Sequence, residues 1–215
     1  MTIEEICKKY GISNYTINDD DSIDVDGHVI IWDMGLTELP LKFNKVNGDF
    51  ECYDNKLTSL KNSPIEVTRS FNCSNNKLTT LEGGPEKVGV GFKCSDNKLT
   101  DLKFSPKYVG GNFTCSWNDI VTLDGFESEI KGIVSYTISG FEYTKKLVTT
   151  FHCAGNPISS IFDDVDMDFL RTFKSFKVLN NGVINLKRLK YVMEMFDKPI
   201  YLEYLESIKK HYQLV

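Results

Sequence analysis

The chain is short of the residues and segments that mark several common functions, and each shortage removes a class. It has three histidines, His28, His152 and His211, scattered from end to end without ligand spacing, so a histidine-centred metal site or acid–base couple has no footing. His152 and Cys153 are adjacent, and neighbours on a strand face opposite sides, which excludes a nucleophile–base pair. No glycine-rich phosphate loop is present, because Gly83-Gly84 and Gly110-Gly111 recur as part of a repeated turn. Positive charge is not in excess: 25 Lys and Arg against 30 Asp and Glu give a net charge of −5, which argues against general nucleic-acid binding. No apolar run approaches the roughly 18 residues that cross a bilayer. The segment Met1–Tyr10 has no apolar stretch of a secretory signal, so a cytoplasmic location is expected. The run from Asp19 to Gly27 echoes a calcium loop, yet it has Ser at the first ligand position and lacks the closing Glu; hairpin turns explain it better. Neither a cofactor nor a metal is expected, and the chain reads as a non-enzyme.

What the sequence does have is a phrase repeated four times at an interval of 21 residues. The copies are Phe50-Glu-Cys52-Tyr-Asp-Asn55-Lys-Leu57-Thr-Ser-Leu60 and its counterparts beginning at Phe71, Phe92 and Phe113. Proline follows at 64, 85 and 106, and a β-branched residue at Val67, Val88, Val109 and Ile130. A self-similar period of this length signals a solenoid, whose units bury their apolar sides only by stacking on one another.

The period assigns roles to the side chains. In Phe-x-Cys both apolar groups point to one side of a strand, and the leucines and Val fill the rest of each coil. Asn55, Asn76, Asn97, Asn118 and Asn156 stand where the strand ends and the backbone bends inward. Their amides can donate to and accept from backbone groups that the bend leaves unpaired, forming a structural ladder. Cys52, Cys73, Cys94, Cys115 and Cys153 share one repeat position. A straight column of thiols about 4.8 Å apart cannot converge on a tetrahedral metal. Parallel neighbours also lack the geometry for disulfides, so the thiols read as small buried hydrophobes.

Three regions follow. Residues 1–28 contain a short helix and alternating segments Tyr15–Ile17, Ser22–Val25 and His28–Ile31, read as a β-meander that caps the first coil. Residues 29–161 form the solenoid, with coils expected to start near 29, 50, 71, 92, 113, 134 and 151. Met34 replaces the Asn in the first coil, and residues 138–146 break the pattern. Residues 162–215 turn helical, with Asp163 or Asp164 and then Asn185 as N-caps and a third helix after Pro199, closing the far end.

The pattern Phe-x-Cys-x-x-Asn-x-Leu-x-x-Leu resembles the core of leucine-rich repeats over about residues 29–161, and its short unit is most similar to those of large tailed bacteriophages. The resemblance implies an α/β repeat: a leucine-rich-repeat solenoid with a parallel β-sheet on a concave face that binds a protein. It also makes a ubiquitin-ligase reading poor, because bacterial effectors of that kind append a large helical domain with its own Cys, and no Cys follows Cys153 here.

By the repeat register, outward strand positions on that face include Trp32, Glu51, Tyr53, Asp54, Lys93, Asp96, Trp117 and His152. Exposed aromatics are typical interface anchors, and the acidic members favour a basic or mixed partner surface. The bland alternative packs Trp32 under the N-terminal segment and leaves the charges as a solvated face. Lys56, Lys77 and Lys98 stack on one edge, which reads better as solvated than as a phosphate stripe. The expectation is a noncatalytic protein-binding module, phage-encoded and acting on a bacterial host factor, such as a defence component, in the host cytoplasm. The alternatives are an assembly scaffold or oligomer subunit, and a module that sequesters a small ligand or nucleotide.

Overall fold

The computed structural model describes residues 1–130, 134–138, 141–145, 150–152, 156, 161, 165–198, 200 and 202–215. Alternation along each Phe-x-Cys strand sends both side chains inward, and all four such pairs from Phe50 to Cys115 are fully buried. Strands Val29–Ile30, Phe50–Glu51, Phe71–Asn72, Phe92–Lys93 and Phe113–Thr114 pair in parallel, each residue facing its counterpart one repeat later. Four turns of 21 residues therefore carry the chain from Val29 to Phe113 in register. The phenylalanine rings form a file through the interior: Phe50–Phe71 and Phe71–Phe92 stack at 5.3 and 5.6 Å, with nearly parallel planes. Phe43 and Phe126 meet the two ends of the file edge-on, each at 5.0 Å. Among the described residues the molecule is a parallel-strand β-solenoid with four helices.

Behind this front sheet lies a second one. Ile23–Val25, Phe43–Val46, Glu66–Val67, Lys87–Val88, Tyr108–Val109 and Glu129–Ile130 form a parallel ladder, edged by antiparallel Tyr15–Ile17. The back of each repeat is extended, and its β-branched residues pair from coil to coil.

Two expectations need correction. Segments 15–17, 22–25 and 28–31 do not form one meander: Ile23–Val25 joins the back sheet and Val29–Ile30 the front sheet. Nor does a coil start at 134. Val134–Ile138 pairs antiparallel with Phe141–Lys145 as a hairpin, and Phe113 pairs directly with Phe151, so the front ladder skips this segment. Antiparallel Val165–Asp166 then edges the front sheet beyond Thr150–His152.

The first helix, α1 (Ile3–Lys9), opens with a capping box between Thr2 and Glu5 and buries Cys7. Near the other end stand α2 (Met167–Ser175), α3 (Leu186–Met195) and α4 (Leu202–Lys209). Phe169, Leu170 and Phe173 of α2 are buried, and Asn185 caps α3 by accepting from the Arg188 amide at 3.0 Å. Asp163 and Asp164 lie outside the described residues. The Asn180-Asn-Gly182 turn joins two strands of a small sheet, Leu179–Asn180 and Val183–Ile184, which Gln213–Leu214 completes. The Tyr212 hydroxyl donates to the Val121 carbonyl at 3.0 Å, tying the chain's end to the coils.

The asparagines act as pegs between coils. Asn76 Nδ2 donates to the carbonyls of Cys73 and Ser74 in its own coil and of Cys52 in the preceding one, at 3.1 to 3.2 Å. Its Oδ1 accepts from the Leu57 amide at 2.9 Å. Asn97 and Asn118 repeat the pattern, and Asn156 serves Cys115 and Ile120. Each peg satisfies the coil before it, which explains why the first coil tolerates Met34: its Met34 and Leu36 amides both donate to Asn55. Replacing Asn76 by Ala leaves these buried groups unsatisfied, so we expect a loss of about 1–3 kcal/mol in chemical denaturation. An unchanged denaturation midpoint would show that water replaces the peg.

Candidate functional site

Because alternate residues point outward, the front sheet presents columns of side chains set by the repeat. The first column runs Ile30, Glu51, Asn72, Lys93 and Thr114; the next runs Trp32, Tyr53, Ser74, Ser95 and Ser116. A third contains Asp33, Asp54, Asn75, Asp96 and Trp117, all with φ between 51 and 56°. Left-handed backbone favours Asn and Asp, whose short polar side chains bond locally, and Asp54 accepts from the Asn75 amide group. Trp117 breaks the rule. A bulky aromatic at φ 56° is a conformational outlier, and its ring is also highly exposed, so strain is held at a surface position.

The structure brings some of the expected site residues together and separates others. Trp32 and Tyr53 stack face to face, with centroids 5.5 Å apart and planes within 6°. Trp32 is therefore not tucked beneath the N-terminal segment; it is 44% exposed. Glu51, Tyr53 and Asp54 share the second rung, Lys93 and Asp96 the fourth, and Trp117 stands on the fifth, three rungs beyond Tyr53. His152 belongs to the strand beyond that, and its side chain lies outside the described residues. These residues form a face, not a pocket. Two signals in the sequence pointed to features not anticipated from it: Trp32 and Tyr53 lie 21 residues apart, and Asp or Asn recurs in the left-handed column until Trp117.

Glu51 is half-buried in the face and pairs across the sheet with Asn72. Burial raises its pKa, opposed by a hydrogen bond from Asn72 and the attraction of Lys93. Burial pushes the thiols of Cys52, Cys73 and Cys94 up, which favours their protonated form. Among the described residues, no group of three or more His, Cys, Asp or Glu side chains is placed to hold a metal ion. A cleft of about 270 Å³ opens elsewhere, between Thr122–Asp124 and the α2 residues Phe173 and Lys174. Lys56, Lys77 and Lys98 are exposed on successive rungs at one edge. No helix among the described residues is long and apolar enough to cross a membrane.

The raised pKa of Glu51 fixes a sign. Its folded-state pKa exceeds its unfolded one, so its contribution to stability is fully present below the ordinary Glu range and is lost as pH rises through the folded value. Glu51→Gln removes the charge but keeps an acceptor for Asn72. Thermal unfolding should show the variant more stable than wild type at neutral pH, with the gap closing as pH falls to about 4. A gap independent of pH would mean that the carboxylate is not penalised by burial.

Comparison of the chain with protein-family models, with curated proteins and with solved structures returns no match.

Proposed function

We propose that this chain is a noncatalytic protein-binding module of the leucine-rich-repeat type, with its N-terminal segment and its C-terminal helices as caps, engaging its partner through the outward face of the front sheet. The observation that carries the reading is Trp117, a highly exposed aromatic in a left-handed position that the other copies fill with Asp or Asn. Such strain opposes folding and is explained by a role in contact. The stacked Trp32–Tyr53 pair supplies a second aromatic anchor on the same face. Glu51, Asp54 and Asp96 around Lys93 suit a basic or mixed partner surface. The resemblance of the repeat to phage proteins makes a bacterial host factor, such as a defence component, the partner class to test first.

Affinity capture from bacterial lysate tests this reading, comparing wild type with Tyr53→Ala and Trp117→Asp. Restoring Asp at the left-handed position relieves about 1–2 kcal/mol of strain, so that variant should be at least as stable as wild type. Loss of a captured protein by a folded Trp117→Asp variant supports the face; equal recovery of every partner by all three proteins refutes it.

A second reading, assembly into oligomers through the helices, draws on a different observation. Phe176 of the segment after α2 lies 5.4 Å from Tyr191 of α3, and both are exposed together with Met195. Light scattering decides: a dimer that dissociates on Tyr191→Ser favours assembly, and a monomer at all concentrations removes it.

A further inference from the structure

The two sheets end differently. The back sheet is closed at its N-terminal side by antiparallel Tyr15–Ile17, and the front sheet at its C-terminal side by antiparallel Val165–Asp166. The front sheet's N-terminal side has no such strand among the described residues: its order ends at Val29–Ile30. The amides of Val29, Ile31 and Asp33 donate to Asp49, Glu51 and Tyr53 in the second coil, at 2.9 to 3.2 Å. Successive residues of a strand point their backbone groups to opposite sides, so those of Ile30 and Trp32 face away from the sheet. A row of this kind is a template for another strand.

The side chains on this edge point to what would occupy it. Tyr53 covers one face of the Trp32 indole from the second rung, which leaves the opposite face turned toward the free edge. An indole face attracts a cation. Asp33 stands next to Trp32 in the left-handed position, and Asp26 and Glu38 flank the strand in sequence. Between Lys9 and Lys42 the chain has no Lys or Arg at all, and Lys42 is itself held by Asp20 at 2.5 Å. Val29 and Ile31 are fully buried, so inward-pointing side chains of an added strand have to be small.

We propose that the edge at Ile30 and Trp32 accepts an extended basic segment of a partner protein as an additional strand of the front sheet. Its backbone pairs with Ile30 and Trp32, its small residues point inward, and an outward Lys or Arg stacks on the free face of Trp32 beside Asp33. The inference rests on the reading of the chain as a protein-binding module, but it places the contact on the sheet's edge rather than its face.

The probe is a short synthetic peptide alternating Lys and Thr. It is compared with an alternating Glu and Thr peptide and with a Lys–Thr peptide N-methylated at every residue, which has no N–H on either edge and cannot pair as a strand. Amide hydrogen exchange followed by NMR should show Ile30 and Trp32 protected by the Lys–Thr peptide, with both controls binding about tenfold more weakly or worse. Ile30→Pro removes an N–H that faces away from the sheet, and proline is tolerated on sheet edges. The folded variant should lose the peptide to the same degree. No binding of the Lys–Thr peptide overturns the proposal, as does undiminished binding by the methylated peptide, and that arm holds even if Ile30→Pro fails to fold. Binding that perturbs Tyr53 and Trp117 while Ile30 and Trp32 amides stay unprotected overturns the edge and leaves the face reading standing. Protection of the edge in a protein whose lysate capture is indifferent to Trp117→Asp does the reverse.

Discussion

Every part of this molecule depends on successive coils lying in register, so that each backbone group of one coil meets its counterpart in the next. From Val29 to Phe113 the parallel hydrogen bonds keep a constant 21-residue step, and a one-residue slip in pairing would turn a coil's inward set outward. Two features enforce the step. The asparagine pegs join each coil to the one before through bonds that only an amide, with donors and an acceptor together, can make. At the back corner the coils also approach so closely that a Cβ on Gly110 would lie 2.0 Å from the Gly89 carbonyl oxygen. A side chain there would push neighbouring coils apart.

This constraint separates structure from recognition. The interior repeats one chemistry, Phe, Cys, Asn and Leu, because every coil solves the same packing problem. The outward columns are under no such demand, and they vary: Ile30, Glu51, Asn72, Lys93 and Thr114 occupy one register position. A face whose side chains change while its backbone does not is well suited to reading another protein's surface. Trp117 marks where that freedom runs against the backbone's own preference, since its neighbours in the column satisfy the left-handed turn and it does not.

Much of the interior was legible from spacing alone, while the misreadings share a cause. Val134 and Tyr136 pass the test of apolar residues two apart, and so suggest a coil, but the position of the peg is Ser139. A coil there would have left Ile120 and Cys115 without the amide they need; Asn156 supplies it instead, and the ladder runs from Phe113 to Phe151. The peg is a stricter marker of a coil than the apolar pair, because it answers to hydrogen-bond geometry and not only to burial. The N-terminal strands were misread for a related reason. Alternation reports that a segment is a strand and says nothing of which sheet it joins.

The amino-acid sequence by itself determined the repeat length, the inward set and the roles of asparagine and cysteine, since periodic burial is a local property that each coil carries in full. Only the tertiary structure decided the second sheet, the stacking of Trp32 on Tyr53, the strain at Trp117 and the open edge at Ile30. Those features arise where distant segments meet or fail to meet, and no periodicity along the chain records which edge of a sheet is left without a neighbour.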